Sequence, residues 1–300
     1  MIRLDVSTLP KGLRIGTSSF SSVDWHGGFY PQDMPPTEFL RHYAEMLNKV
    51  EIDATWHAMP SRRTFQAWTD KTPDDFVFSL KVPKVVTHDR YLVDCEEEWA
   101  RFLESAEILG PKLGPIVLQF PYVARGADPD EYRTGDQFRR RLEAFLPLIP
   151  SDLRAVVEVR NRTWLAEHLC DLLRSRGIAL AMIDYYTMPD AAEWLRRCDP
   201  ITADFGYIRF LGDHKRMDQK VSRAREEGKR SGDWSELLED RESETRSWVR
   251  TVRELLTRLP AVYAYYNNHY AGFAPGSIDL FLRIWEETEQ RVGTPGVLLP

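Results

Sequence analysis

The sequence predicts an α/β fold in which about eight strands alternate with helices, the count of a (β/α)8 barrel. Two observations carry this. Short runs rich in β-branched and aromatic residues recur along all 300 residues, separated by segments with helical spacing of apolar side chains. Nearly every such run ends in a polar side chain, as Glu51, Lys81, Glu158, Arg209 and Asn267 show. A doubly wound open sheet shares the alternation. Both folds bind ligands beyond the carboxyl ends of their strands, so both direct attention to the same residues.

Residues 1–13 read as a lead-in, and Arg14–Ser18 as the first strand. A polar and aromatic loop follows, with Trp25 and Tyr30 as candidates for an aromatic wall. Thr37 is placed to cap a helix over Glu38–Leu47, with Phe39, Leu40, Tyr43 and Leu47 on its apolar side. The second strand begins at Val50 and carries Glu51 and Asp53 on one face, because side chains alternate. Two carboxylates on an otherwise apolar strand need partners. Ser61 opens a helix with Phe65 and Trp68 inward, stopped by Thr72-Pro73. Phe76–Val82 is the third strand, and its loop holds His88.

A helix over Glu96–Leu109 leads to the strand Pro115–Phe120, and one around Gln137–Leu146 to the strand Arg154–Arg160. The helix Leu165–Arg176 ends at Gly177, a residue suited to the left-handed C′ position. Ala179–Asp184 is a strand, and residues 185–205 read as a shorter connection. Gly206–Leu211 is the seventh strand, followed by a charged insertion or lid over residues 212–240. The helix Arg241–Leu259, the strand Ala261–Asn267, a loop to Gly276 and a helix over Ile278–Thr288 complete the alternation, and residues 293–300 read as extended. No linker or repeat divides the chain, so residues 1–300 are expected to form one domain.

Composition bounds the function. The hydrophobic share of 43% suits a sizeable core. A net charge of −6 argues against bulk attraction to nucleic acid or anionic membranes. The mixed charges of Lys215–Lys229 read as a solvated helix, with nucleic-acid contact the weaker reading. Cys95, Cys170 and Cys198 show neither metal spacing nor a disulfide framework. No signal segment or membrane-length apolar run is present, and a cytoplasmic protein is the expectation.

Parity sharpens the strand ends. Glu158 and Arg160 share a face, as do Ser79 and Lys81, Tyr207 and Arg209, and Tyr263, Tyr265 and Asn267. Val157, Phe78, Ile208 and Ala264 lie on the opposite faces and suit helix contacts. The polar faces are therefore expected to line the mouth, with Glu51 paired to Lys81 and Glu158 to Arg160 or Arg209. Of the loop histidines His57, His88, His214 and His269, His88 is best placed for proton transfer. No cofactor motif is found. Glu51, Asp53, Glu158, Asp184 and His88 would be the ligands of a divalent metal, a weak signal without HxH or HExxH spacing. Gly212 is compatible with a barrel phosphate site, but GxGxxG and GxxxxGK[ST] are absent.

The chain also resembles the DUF72, or YecE-like, family. The matching pieces are Ile15-Gly16-Thr17-Ser18, Trp25-His26-Gly27, Phe29-Tyr30-Pro31, Val50-Glu51-Ile52, Phe76–Lys81 with Thr87-His88, Glu158-Val159-Arg160 with Trp164, Tyr207-Ile208-Arg209, and Tyr265-Tyr266-Asn267-Asn268 with Gly272. They span nearly the whole chain in order. The resemblance implies a closed TIM-like barrel and little about chemistry. Members often read Thr-Phe-Tyr where this chain has Thr55-Trp56-His57, Arg-Leu-His-Gly where it has Arg209-Phe210-Leu211-Gly212, and Asp in place of His269.

The leading expectation is an enzyme acting on a small anionic molecule, phosphorylated, carboxylated or sugar-like, by hydrolysis or isomerisation. Lys81, Arg160 and Arg209 would hold the anion, with Asn267, Asn268, Trp25 and Tyr30 as further binding residues. Glu51 or Glu158 would act as acid or base with His88 as proton partner. The alternatives are a non-catalytic metabolite- or nucleotide-binding protein and a metal-dependent nuclease or phosphatase.

Overall fold

The structure is a computed structural model that describes residues 1–124, 134–197, 199–229 and 234–292. In chain order it runs β1 (Leu13–Thr17), α1 (Phe39–Met46), β2 (Lys49–Ile52), α2 (Ala54–His57), α3 (Arg62–Asp70), β3 (Val77–Lys81), α4 (Glu96–Ala106), β4 (Leu113–Gln119), α5 (Gly135–Phe145) and β5 (Ala155–Glu158). It continues with α6 (Glu167–Arg174), β6 (Ala179–Tyr185), α7 (Ala191–Arg197), β7 (Gly206–Gly212), α8 (His214–Glu226), α9 (Glu242–Arg258), β8 (Val262–Tyr266) and α10 (Ala274–Val292). All pairings are parallel, and β1 pairs with both β2 and β8, so the sheet closes as β1 to β8 in order. The expected (β/α)8 barrel is formed, and the open-sheet alternative is excluded by the β1–β8 ladder. No helix among the described residues is long and apolar enough to cross a membrane.

Local chemistry accounts for most element ends. The Ser61 hydroxyl accepts from the Thr64 backbone N–H and opens α3 as expected. Thr134 and Asp213 do the same for α5 and α8. Thr37 does not cap α1: the prolines before it wind a 3-10 turn over Pro36–Glu38, and α1 is entered from Glu38 without a side-chain cap. The connection over 185–205 is not a plain loop, because it contains α7, whose Trp194 is fully buried. Part of the charged insertion is the helix α8, which buries Met217, Val221 and Ala224.

The barrel interior is recognised by bonds between strands that are not neighbours. Ser79 on β3 shares a 2.9 Å hydrogen bond with the Tyr265 hydroxyl on β8, and Tyr207 on β7 donates to Glu51 on β2 at 2.7 Å. Such contacts can cross only through the middle. Tyr263 and Tyr265 stack near Tyr207, forming an aromatic plug beneath the polar layer. The predicted parity therefore holds at Ser79, Tyr207, Tyr263 and Tyr265. Asp184 is the exception among the polar strand ends. It is in register with Phe210 and accepts from Trp248 Nε1 of α9 at 2.6 Å, so it faces the helices.

Gly212 ends β7 at φ +66°, and an added Cβ would lie 2.4 Å from the His269 carbonyl oxygen. The face that a side chain would occupy is therefore packed closely against the turn after β8. Gly212→Ala is expected to cost more than about 1 kcal/mol, from both backbone strain and the clash. Urea unfolding of the variant checks this, and an unchanged midpoint would contradict it.

Candidate functional site

Arg209 is the centre of the mouth. It projects from β7 with 1% exposure, and no buried guanidinium is tolerated without anions around it. Its Nε and Nη2 donate to Glu51 Oε1 at 3.0 and 2.6 Å, Nη1 donates to Glu158 Oε2 at 2.6 Å, and Nη2 also reaches Asp53 Oδ1 at 3.1 Å. Tyr207 fills the other oxygen of Glu51, and Arg160 Nε donates to Glu158 Oε1 at 3.0 Å. Three acids and three bases, with Lys81 completing the set, sum to zero when all are ionised.

The structure thus brings together Glu51, Asp53, Lys81, Glu158, Arg160 and Arg209, with Glu158 paired to Arg160 and Arg209 as expected but Glu51 not paired to Lys81. Glu51 pairs with Arg209, whereas Lys81 lies 3.8 Å from Asp53. Sequence separation hides this, since β2 meets β7 only across the closed barrel. Glu51 and Glu158 are both 0% exposed, with their oxygens already accepting donors, so neither offers surface to a ligand. Their chemistry is to position Arg209 and Arg160.

Their environments differ. Burial pushes the Glu51 carboxyl above the ordinary range, with Asp53 adding and Arg209 and Tyr207 opposing. Burial acts the same way on Glu158, but Arg209 and Arg160 outweigh it and bring that carboxyl down to about 2.

Above this buried layer lies a partly open rim. The Lys81 ammonium stands over the Trp56 ring, 4.6 Å from its centroid, and its side chain is 10% exposed. The Arg160 guanidinium stands over Tyr185 at 4.8 Å and is 15% exposed. Asp53, at 29%, is the most open of the carboxylates. Burial lowers the Lys81 ammonium from its ordinary value, with Asp53 opposing and Arg209 and Arg160 adding.

His88 stands edge-on to Trp56 at 5.0 Å and shares a 2.8 Å hydrogen bond between Nδ1 and the Thr87 hydroxyl. Burial and the positive charges of Lys81 and Arg160 bring it down to about 4, so it is neutral near neutral pH. Its loop is wound as a π turn over Val85–Asp89, and Tyr91, Leu92 and Asp94 beyond it hold positive φ. Bulky residues keep such conformations only where their surroundings impose them.

Other expected site residues are used elsewhere. Trp25 and Tyr30 are 1% and 0% exposed and pack with Phe29, Phe39 and Phe273, so their rings offer no wall to a ligand. Trp25 Nε1 donates to Asn268 Oδ1, which also accepts from the Ala274 N–H, and Tyr30 donates to the Phe20 carbonyl. Asn268 therefore ties the first loop to the start of α10. Asn267 Oδ1 accepts from the His269 backbone and meets its Nδ1. His57 is exposed, with its ring against Trp56 at 4.7 Å. His214 stacks on His269 at 4.3 Å and stands edge-on to Tyr185 at 5.8 Å.

Tyr185 was not picked out from the sequence, although it follows Asp184 on the opposite, mouth-facing parity. It also lines a cavity of about 450 Å³ beside the mouth, with Asp184, Tyr186, Asp213, Arg241 and Trp248. Among the described residues no three His, Cys, Asp or Glu side chains are grouped to hold a metal ion. Glu51, Asp53 and Glu158 are spread around Arg209 instead, and Asp184 is turned to Trp248.

Comparison with known proteins agrees with this architecture. The chain is 29% identical to the UPF0759 protein YecE of Escherichia coli K12 over 139 residues, covering 46% of this chain and 47% of YecE. That match spans about half the length of the relative. The UPF0759 protein YunF of Bacillus subtilis is 22% identical over 290 residues, covering 85% of this chain and 96% of YunF. Among solved structures, a DUF72 family protein from Thermotoga maritima superposes with a TM-score of 0.69 at 27% identity, covering 91% of this chain and 99% of that one. A second, from Enterococcus faecalis, has the same fold at a TM-score of 0.64 and 18% identity. The family model described as protein of unknown function DUF72 matches residues 14–298 and thus the whole barrel with its mouth, and the chain belongs to that family.

Proposed function

We propose that the protein is an enzyme that holds a small anion at the barrel mouth between Lys81 and Arg160 and carries out proton transfer beside it through His88. One observation carries this reading. The two rim cations are fixed in place yet keep donors unspent. Arg160 is held by Glu158 at Nε alone and by the Tyr185 face, and Lys81 by Trp56 and a 3.8 Å ion pair. Among the described residues, neither the Arg160 terminal nitrogens nor the Lys81 ammonium donates a hydrogen bond. Preorganised cations with open donors form an anion site.

Glu51 and Glu158 are positioning residues in this scheme. His88 takes the proton-transfer role because it is neutral and its Nδ1 is fixed by Thr87. An anion between the cations would screen their charge and raise the His88 pKa from about 4.

Titration of the full chain with inorganic phosphate, acetate and glycolate, read by NMR of the imidazole groups, tests this. His88 is expected to shift with an upward change in its pKa, and Lys81→Met or Arg160→Gln to weaken binding at least about tenfold. Anions that leave His88 untouched, or variants that bind like the wild type, would remove the reading. Once a substrate is found, His88→Gln is expected to lower turnover by about 10²-fold or more.

A further inference from the structure

We infer that the anion is a carboxylate bearing a hydroxyl or carbonyl oxygen on the neighbouring carbon, the carboxylate on Arg160 and the neighbouring oxygen on Lys81. This rests on the anion-site reading above and names the class of ligand. The first support is shape. Arg160 is bonded to Glu158 through Nε and backed by Tyr185, so its two terminal nitrogens present a planar fork of fixed direction. A planar two-oxygen anion matches such a fork bidentately. Lys81 offers a compact ammonium with rotatable donors, suited to a single oxygen rather than a plane.

The second support is charge. Lys81, Arg160 and Arg209 face Asp53, Glu51 and Glu158, so the six groups are balanced when all are ionised. A monoanion adds one negative charge to this balanced set, whereas a phosphate dianion adds two and would face Asp53 at close quarters.

The third is the acid at the start of α8, after the seventh strand, where barrels build phosphate sites. Gly212, whose Cβ face is closed by the His269 carbonyl, ends β7. α8 opens after it with Asp213, whose carboxylate already accepts the Arg216 N–H at 3.1 Å.

Lys81 and Arg160 also act on one group, since both charges fall on His88.

The test compares glycolate, acetate and inorganic phosphate on the full chain at constant ionic strength, by NMR or calorimetric titration. Glycolate is expected to bind about tenfold tighter than acetate, the difference being the Lys81 contact to the hydroxyl, and tighter than phosphate. Lys81→Met should abolish the glycolate–acetate difference while leaving acetate binding measurable. Arg160→Lys should weaken both carboxylates about tenfold and favour phosphate relative to them. Phosphate binding tighter than glycolate, or acetate equal to glycolate in the wild type, would overturn the inference and leave the anion site standing. No binding of any of the three would overturn the anion site as well.

Discussion

Replacing Arg209 by methionine is expected to destabilise the barrel by about 3–5 kcal/mol, because it leaves Glu51 and Glu158 buried without their cation. Both carboxylates are 0% exposed, so water cannot take over the role of the guanidinium. The size of the loss reflects the unpaired charges and not the net strength of the pairs. It follows that Arg209→Met combined with Glu51→Gln and Glu158→Gln should recover most of the lost stability, since the neutral amides no longer require a cation. Urea unfolding of the single and triple variants measures both. A single variant that loses less than about 1 kcal/mol would show that the three charges are not coupled as the geometry requires.

Acid should remove the contribution of Glu158 over a defined window. Its carboxyl is held at about 2 in the folded chain, against an ordinary 4.5. A depressed carboxyl stabilises the fold above its unfolded value, and that stabilisation is lost as the pH falls towards the folded value. The window is therefore between about pH 5 and pH 2, and the contribution is about 3 kcal/mol. Glu51 acts in the opposite sense, because burial raises its carboxyl: its contribution is present at low pH and fades as the pH rises. The two partly cancel in the wild type. The stability difference between wild type and Glu158→Gln isolates the first, and should shrink by about 3 kcal/mol between pH 5 and pH 2. A difference independent of pH would mean that Glu158 is not held ionised by Arg209 and Arg160.

The fold was legible because its signals are local. Strand runs such as Phe76–Val82 and the Ser61 cap are written in neighbouring residues. The helix α7 was missed because residues 185–205 carry Pro189 and Pro200 and a short apolar pattern, while its packing comes from burial of Trp194 and contact with α9. Alternation also placed Glu158 with Arg160 and Tyr207 with Arg209. It failed at Asp184 only where the strand end was read without its parity.

Trp25 and Tyr30 show the limit for side chains in loops. Their residue types suit a pocket wall, yet both rings are enclosed by Phe29, Phe39 and Phe273, which come from three segments. Whether an aromatic faces a ligand or a core depends on what arrives opposite it, and no local pattern encodes that.

By itself the sequence determined the strand count, the faces of Glu51, Lys81, Glu158, Arg160 and Arg209, and the cluster of acids and bases to be expected at one end. The tertiary structure alone decided the partner of Glu51. Closing the sheet through β1 and β8 sets β2 across from the later strands, so Glu51 reaches Arg209 and not Lys81, which is left with Arg160 at the rim. Local spacing fixes the direction of a side chain, whereas charge pairing depends on distance through the barrel, and that distance exists only once the sheet has closed.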